Sequence, residues 1–248
     1  MTSLIMRVFR RLARGLVLLS LKILCIVRFA QTETKLWGTK YGNWRLPIDT
    51  KVPNNSYIFS AGVGEDISFE QQFLNEFKEV NLVLYDFTPR SLSYLESLFE
   101  LNKTGDRIYT FEDKHKFYNS GISNFSGYLK VIYPSNHNHV SLRKSTGREE
   151  GGIVDDLPVL SLSEEIMKIK MSCRFILKFD IEGSEAEILA SSQIVSNMAT
   201  FQIILLELDF LKFDSVLNWH SPINGILRLF STHRMYYVDD FNIGLVKK

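Results

Sequence analysis

The sequence predicts an α/β fold: a doubly wound, mostly parallel sheet with helices on both faces. Three observations carry this expectation. Short apolar runs alternate with segments of helical period from residue 57 onward, and two of the junctions between them are glycine turns. In addition, 248 residues at 45% hydrophobic and 23% charged are enough to bury the full core of one α/β domain.

Residues 1 to 30 read as a basic amphipathic helix. At 100° per residue, Arg7, Arg10, Arg11, Arg14, Lys22 and Arg28 all fall within roughly 60° of Arg7, and no acid precedes Glu33. Lys22 and Arg28 cut the apolar run below the roughly 18 uncharged residues of a membrane-spanning helix. The pattern best fits a helix lying in an anionic membrane surface, on a cytoplasmic protein. A helix packed on its own domain, and a signal anchor placing the domain in a lumen, are the alternatives.

Residues 31 to 55, with Gly38, Gly42, Pro47 and Pro53, read as a mostly irregular lead-in, and 56 to 248 as the catalytic domain. Within it the pattern gives strands near 57–61, 81–86 and 107–111, with helices near 66–79 and 91–102 between them. A loop-rich middle to about 155 follows, then a helix near 161–170, a strand at 174–180, a helix at 184–196 and a strand at 201–208. Tyr133 to Asp156, with His137, His139, Arg143 and Arg148, reads as a mobile loop over the site. Arg234 to Lys248 carries Val238-Asp239-Asp240-Phe241 between two apolar runs and reads as a closing antiparallel hairpin.

Composition narrows the function. A net charge of +1, basic residues spread through the body and no nucleic-acid-reading motif argue against DNA or RNA as partner. Cys25 and Cys173 stand far apart and in no metal-binding spacing, which fits buried thiols.

The most informative segment is Tyr57 to Glu70, where an apolar run enters Gly62-Val63-Gly64 and passes directly into a helical pattern. Glycine lets a backbone approach a nucleotide-like ligand, and a helix start offers free N–H groups. Asp86 ends the next run 22 residues beyond Gly64, near the offset of an acid that takes ribose hydroxyls. A dinucleotide fingerprint would need glycine where Ile67 stands, and no P-loop occurs. Glu65 and Asp66 would repel phosphate. The cationic S-adenosylmethionine suits this loop better than NAD or ATP, although both acids also fit a role limited to favouring the helix dipole.

The third junction is specific. Leu177-Lys178-Phe179-Asp180-Ile181-Glu182-Gly183-Ser184-Glu185 resembles the Lys-Ile-Asp-Val-Glu-Gly-Ala-Glu stretch of the FkbM-like family of S-adenosylmethionine-dependent methyltransferases. Ser60-Ala61-Gly62-Val63-Gly64 and Tyr85-Asp86-Phe87-Thr88-Pro89 are similar to that family's earlier motifs, in the same order. Ser60 stands where the family commonly has aspartate, and Asp66 where a further glycine is usual. The resemblance implies a class I, Rossmann-like methyltransferase fold and O-methylation of a sugar or other hydroxylated small molecule. Gly62 and Gly64 would pass the methionine part, Asp66 would face its ammonium and Asp86 would bind the ribose.

Asp180, Glu182, Glu207 and Asp209 fall at or near strand ends, where ligands of open α/β sheets bind. Methyl transfer to a hydroxyl needs an aligned acceptor and removal of one proton. Asp180 is the first candidate for that base and Glu182 the second; Glu182, Glu185 and Glu187 also fit simple support of the next helix start. Glu207 paired with Lys178 is a further possibility. His137 and His139 are better read as solvated than as metal ligands, and no metal-ligating residue is singled out. Two rivals stand beside this reading: a non-catalytic scaffold or glycan-binding module at a membrane, and an NAD-dependent sugar enzyme, disfavoured by the missing third glycine.

Overall fold

The computed structural model describes residues 2–28, 32–132, 143–144 and 154–248. The chain opens with a long helix, α1 (Thr2–Arg28), then a hairpin of β1 (Thr34–Trp37) and β2 (Trp44–Pro47). Strand and helix alternate through β3 (Tyr57–Ala61), α2 (Ser68–Glu76), β4 (Asn81–Tyr85) and α3 (Pro89–Leu98). Short strands follow: β5 (Asn102–Gly105), β6 (Ile108–Phe111), β7 (His115–Tyr118), β8 (Gly121–Ser123), β9 (Gly127–Ile132), β10 (Arg143–Lys144) and β11 (Val154–Ser161). The last third holds α4 (Leu162–Met167), β12 (Arg174–Phe179), α5 (Glu185–Ala190), α6 (Ser192–Met198), β13 (Ile203–Glu207), α7 (Phe210–Phe213) and α8 (His220–Leu229). It closes with β14 (His233–Asp239) and β15 (Asn242–Lys247).

Nine strands form the main sheet in the order β14-β15-β13-β12-β3-β4-β7-β6-β5. The five from β13 to β7 pair in parallel, and antiparallel strands extend both edges, including the expected closing hairpin. Successive residues of the central strands enter different cores, as the pleat requires. Phe59, Leu177 and Ile204 meet Ile166, Ile188, Val195 and Leu229 on one side. Ile58, Ile176 and Ile203 meet Phe69, Phe73 and Leu95 on the other. This double burial is why the parallel strands read as apolar runs, with β12 buried along its whole length.

Three sequence expectations need correction. The lead-in is not mostly irregular: β1 and β2 pair antiparallel, and Trp37, Trp44 and Leu46 are buried in the core beneath α2. Burial of two indoles outweighs the turn-forming glycines around them. The middle carries β7 to β11, and β8 to β11 form a second sheet whose Leu129, Val131, Leu157 and Val159 pack with Phe87. Strands this short hold too few alternations to be read from pattern. The helix expected over 184–196 is two, because Ser191 stands in extended conformation and its hydroxyl accepts from Ile194 N to cap α6. His137, His139 and Arg148 lie outside the described residues, and for Arg143 only its place in β10 is described. Cys25 and Cys173 are free thiols, half-buried rather than buried, and the Cys25 thiol lies 3.6 Å from the Met235 carbonyl as donor.

Glu185 fixes the two turns that carry the acids. It is completely buried and accepts from Gly183 N at 2.8 Å and Phe210 N at 2.7 Å, joining the turn after β12 to the start of α7. Burial, and then the charge of Asp209, push its pKa from 4.5 up to about 8 against the pull of these N–H groups. A carboxyl raised on folding contributes stability that is complete below its unfolded pKa and is lost as pH climbs through the folded value. Urea denaturation should therefore give a stability that declines between about pH 5 and pH 8. Glu185→Gln should flatten that slope and, by leaving one backbone N–H unmatched, lower stability at pH 5 by about 1–3 kcal/mol.

Candidate active site

The turns after β3, β4, β12 and β13 open into one cleft of about 320 Å³. It lies at the carboxyl ends of parallel strands, the usual binding position in open α/β sheets. All six residues singled out in the sequence line it: Gly62, Gly64, Asp66, Asp86, Asp180 and Glu182.

The glycines differ in what they permit. Gly62 has φ +81, and a Cβ there would lie 1.6 Å from the Asp180 carbonyl oxygen. The backbone after β3 thus touches the backbone after β12, a contact open only to glycine. Gly64 has φ +56 and faces open space, so its constraint is conformational alone. Its N–H donates to Asp86 Oδ2 at 2.9 Å, while Asp86 Oδ1 accepts from Thr88 N at 2.7 Å and Thr88 Oγ1 at 2.6 Å. Thr88 in turn caps α3, with Pro89 in its first turn. Asp66 reaches the cleft with both oxygens engaged: Oδ1 accepts from Ser68 N at 2.8 Å and Oδ2 from Thr39 Oγ1 at 2.6 Å. Burial pushes its pKa up, but the hydrogen bonds from Ser68 and Thr39 hold it below the ordinary value.

Asp180 and Glu207 stand at the ends of the paired strands β12 and β13 and both line the cleft, where their carboxyls interact and one proton can serve the two. Burial, and then the Glu207 charge, hold Asp180 well above the usual carboxylate range. Burial also pushes Glu207 up, yet the hydrogen bonds from Asp180 and Lys212 leave it below its ordinary value. Lys212 Nζ lies 2.5 Å from Glu207 Oε1 and also contacts Asp209 Oδ1; burial and Glu207 raise Asp209 to about 7. Asp180, Glu182 and Asp209 offer oxygens within 4.8 Å of one another, a spacing open to a divalent cation. The Lys212 ammonium already supplies the positive charge beside Asp209. Glu182 itself stands at φ 52, a left-handed conformation that costs a non-glycine residue about 1 kcal/mol, next to Gly183 at φ 96.

Two groups at the site escaped the sequence reading. Lys178 pairs not with Glu207 but with Glu70 of α2, at 3.1 Å, and Ser60 Oγ donates to the same Glu70 oxygen at 2.6 Å. The carboxylate absent at position 60 is thus delivered from the following helix. Burial pulls the Lys178 pKa down, but Glu70 and then Asp180 raise it above the ordinary value, so it remains charged. The only sign of this in the sequence is an acid between Phe69 and Gln71 on a helix face that Phe69 and Phe73 bury. The second group is the β1–β2 hairpin, whose Tyr41 and Asn43 in the loop and Trp44 at the start of β2 wall the cleft. Gly38 N donates to Gln72 Oε1 and Thr39 N to Ser68 Oγ, both at 2.7 Å, fastening this loop to α2.

The charge of the lining is lopsided. Among the described residues it holds Glu65, Asp66, Asp86, Asp180, Glu182 and Glu207 against one cation, Lys178, which is already paired; Arg90 and Lys212, outside the lining, pair with Glu65 and Glu207, and the other four acids still outnumber the cations. Such a cleft favours a positively charged ligand and rejects phosphate.

The two glycines give a direct test of this geometry. Gly62→Ala must part β3 from β12 and should cost more than about 3 kcal/mol in urea denaturation, or abolish folding. Gly64→Ala, with only its backbone strained, should cost about 1–2 kcal/mol.

Neither a search of curated proteins nor one of solved structures returned a match. A family model described as the methyltransferase FkbM domain matches residues 47–236, from the end of β2 into β14. That span covers most of the chain and all six singled-out residues, and the protein belongs to the FkbM methyltransferase family.

Proposed function

We propose that the cleft binds S-adenosylmethionine and serves methyl transfer to a hydroxyl of a sugar or another hydroxylated small molecule, on a doubly wound, Rossmann-like sheet. The observation that carries this reading is the excess of carboxylates over cations in the lining. When bound, S-adenosylmethionine supplies an activated methyl on a cationic sulfur, and its ammonium adds a second positive charge. NAD and ATP would bring phosphates against the same acids.

Each residue then has a chemical task. Gly62 and Gly64 let the backbone approach the methionine part without a side chain in the way. Asp86 is held rigid by Thr88 and Gly64, in position to accept from the ribose hydroxyls. Asp66, held by Thr39 and Ser68, faces the ammonium and attracts it by charge. Asp180 takes the proton of the acceptor hydroxyl once the pair it forms with Glu207 has released its own. Glu182 orients the acceptor from the strained turn. Tyr41 and Trp44 line the cleft, where an aromatic ring can contact the acceptor or adenine.

Calorimetry with S-adenosylhomocysteine should show binding by the wild type and a more than tenfold loss in Asp86→Ala; unchanged affinity removes Asp86 from the site. Asp180→Asn should retain that binding and lose turnover, measured as labelled-methyl incorporation into hydroxylated acceptors. The rate should rise with pH, because Asp180 must be deprotonated and its pKa stands well above the usual range. Glu207→Gln removes the neighbouring charge and should move that rise to lower pH.

A further inference from the structure

We infer that α1 seats the protein on an anionic lipid surface, using the face that its own domain leaves bare. The helix is apolar on two opposite sides. Ala13, Val17, Leu18, Leu21 and Leu24 pack into the core, and Arg14 lies over the Phe241 ring at 5.4 Å. The other side carries Val8, Phe9, Leu12, Leu16, Leu19, Ile23 and Ile26, each at least 49% exposed and Ile26 68%. At 100° per residue these seven fall in one arc of about 100°, centred opposite the packed side. Scattered exposed apolar residues are normal, but a continuous stripe over about five turns of one helix is a docking surface.

Charge complementarity selects the occupant. Arg7, Arg11 and Lys22 are exposed on one flank of the stripe, Lys22 and Arg11 about 40–60° from its edge and Arg7 about 100°, and α1 contains no acid. Their long stems can lie along the apolar boundary while the charges reach anionic headgroups. A second copy of the helix would bring the same cations and no acid to meet them. Among the described residues no helix is long and apolar enough to cross a membrane, and α1 has one side committed to its domain. It therefore fits in the plane of the interface, with the bare stripe at the acyl boundary.

The test uses the full chain and vesicles of phosphatidylcholine, with and without about 30% phosphatidylserine. Cosedimentation should show binding to the anionic vesicles, at least tenfold weaker on pure phosphatidylcholine and weakened by salt. Leu12→Glu/Leu16→Glu/Leu19→Glu changes only exposed side chains; it should leave the melting temperature nearly unchanged and weaken vesicle binding more than tenfold. Arg7→Gln/Arg11→Gln/Lys22→Gln should remove the preference for phosphatidylserine. The inference is overturned if the wild type ignores anionic vesicles at low salt, or if the triple glutamate variant binds them as well as wild type. A dimer in light scattering that the glutamates dissociate, without vesicle binding, would assign the stripe to a second copy and overturn it equally.

Discussion

A hydrogen atom in place of a side chain at position 62 sets the dimensions of the cleft. The backbone after β3 rests against the Asp180 carbonyl, at a distance that no Cβ could occupy. That contact brings two chemically different turns together: the glycine turn, with Gly62 and Gly64 in left-handed conformation, and the acidic turn, with Asp180 and the strained Glu182. Neighbouring parallel strands alone would leave their turns a strand spacing apart with side chains between them. The glycine removes that separation, so a ligand held by one turn is within reach of the other.

Charge is organised around this contact in compact, internally compensated groups. Glu70, Ser60 and Lys178 form one at the wall of the cleft. Lys212 with Glu207 and Asp209 forms another at the end of β13. Glu185 meets backbone N–H groups instead of a cation and crosses between the two acidic turns. Buried charges left unmatched would cost several kcal/mol each, so these partners are what allow so many acids to converge. The residual excess faces the cleft, where a cationic ligand can complete it.

The legible parts of the fold are those whose pattern is long and local. The strands 57–61, 81–85 and 174–179, the closing hairpin and the helices α2 and α3 follow from apolar runs broken by glycine, proline or a capping residue, and the structure places them within a few residues of those runs. The second sheet and the β1–β2 hairpin were illegible because their strands, of two to eight residues, gain their stability from partners distant in sequence, such as β8 beside β11. Within the site, the same distinction holds. Gly62, Gly64, Asp86, Asp180 and Glu182 are visible because each stands at a strand end. Glu70 is not, because its role depends on a lysine 108 positions away that faces it across the sheet.

The sequence by itself determined the α/β alternation, the turns that meet at the cleft and the acidic character of their residues, since strand ends, glycine turns and first-turn acids are local properties of the chain. Only the tertiary structure decided which acids are paired, which share a proton and which remain for a ligand. It also decided which side of α1 is covered. Pairing and burial depend on distances between segments remote in sequence, and a buried charge takes its partner from whatever the fold brings within about 4 Å.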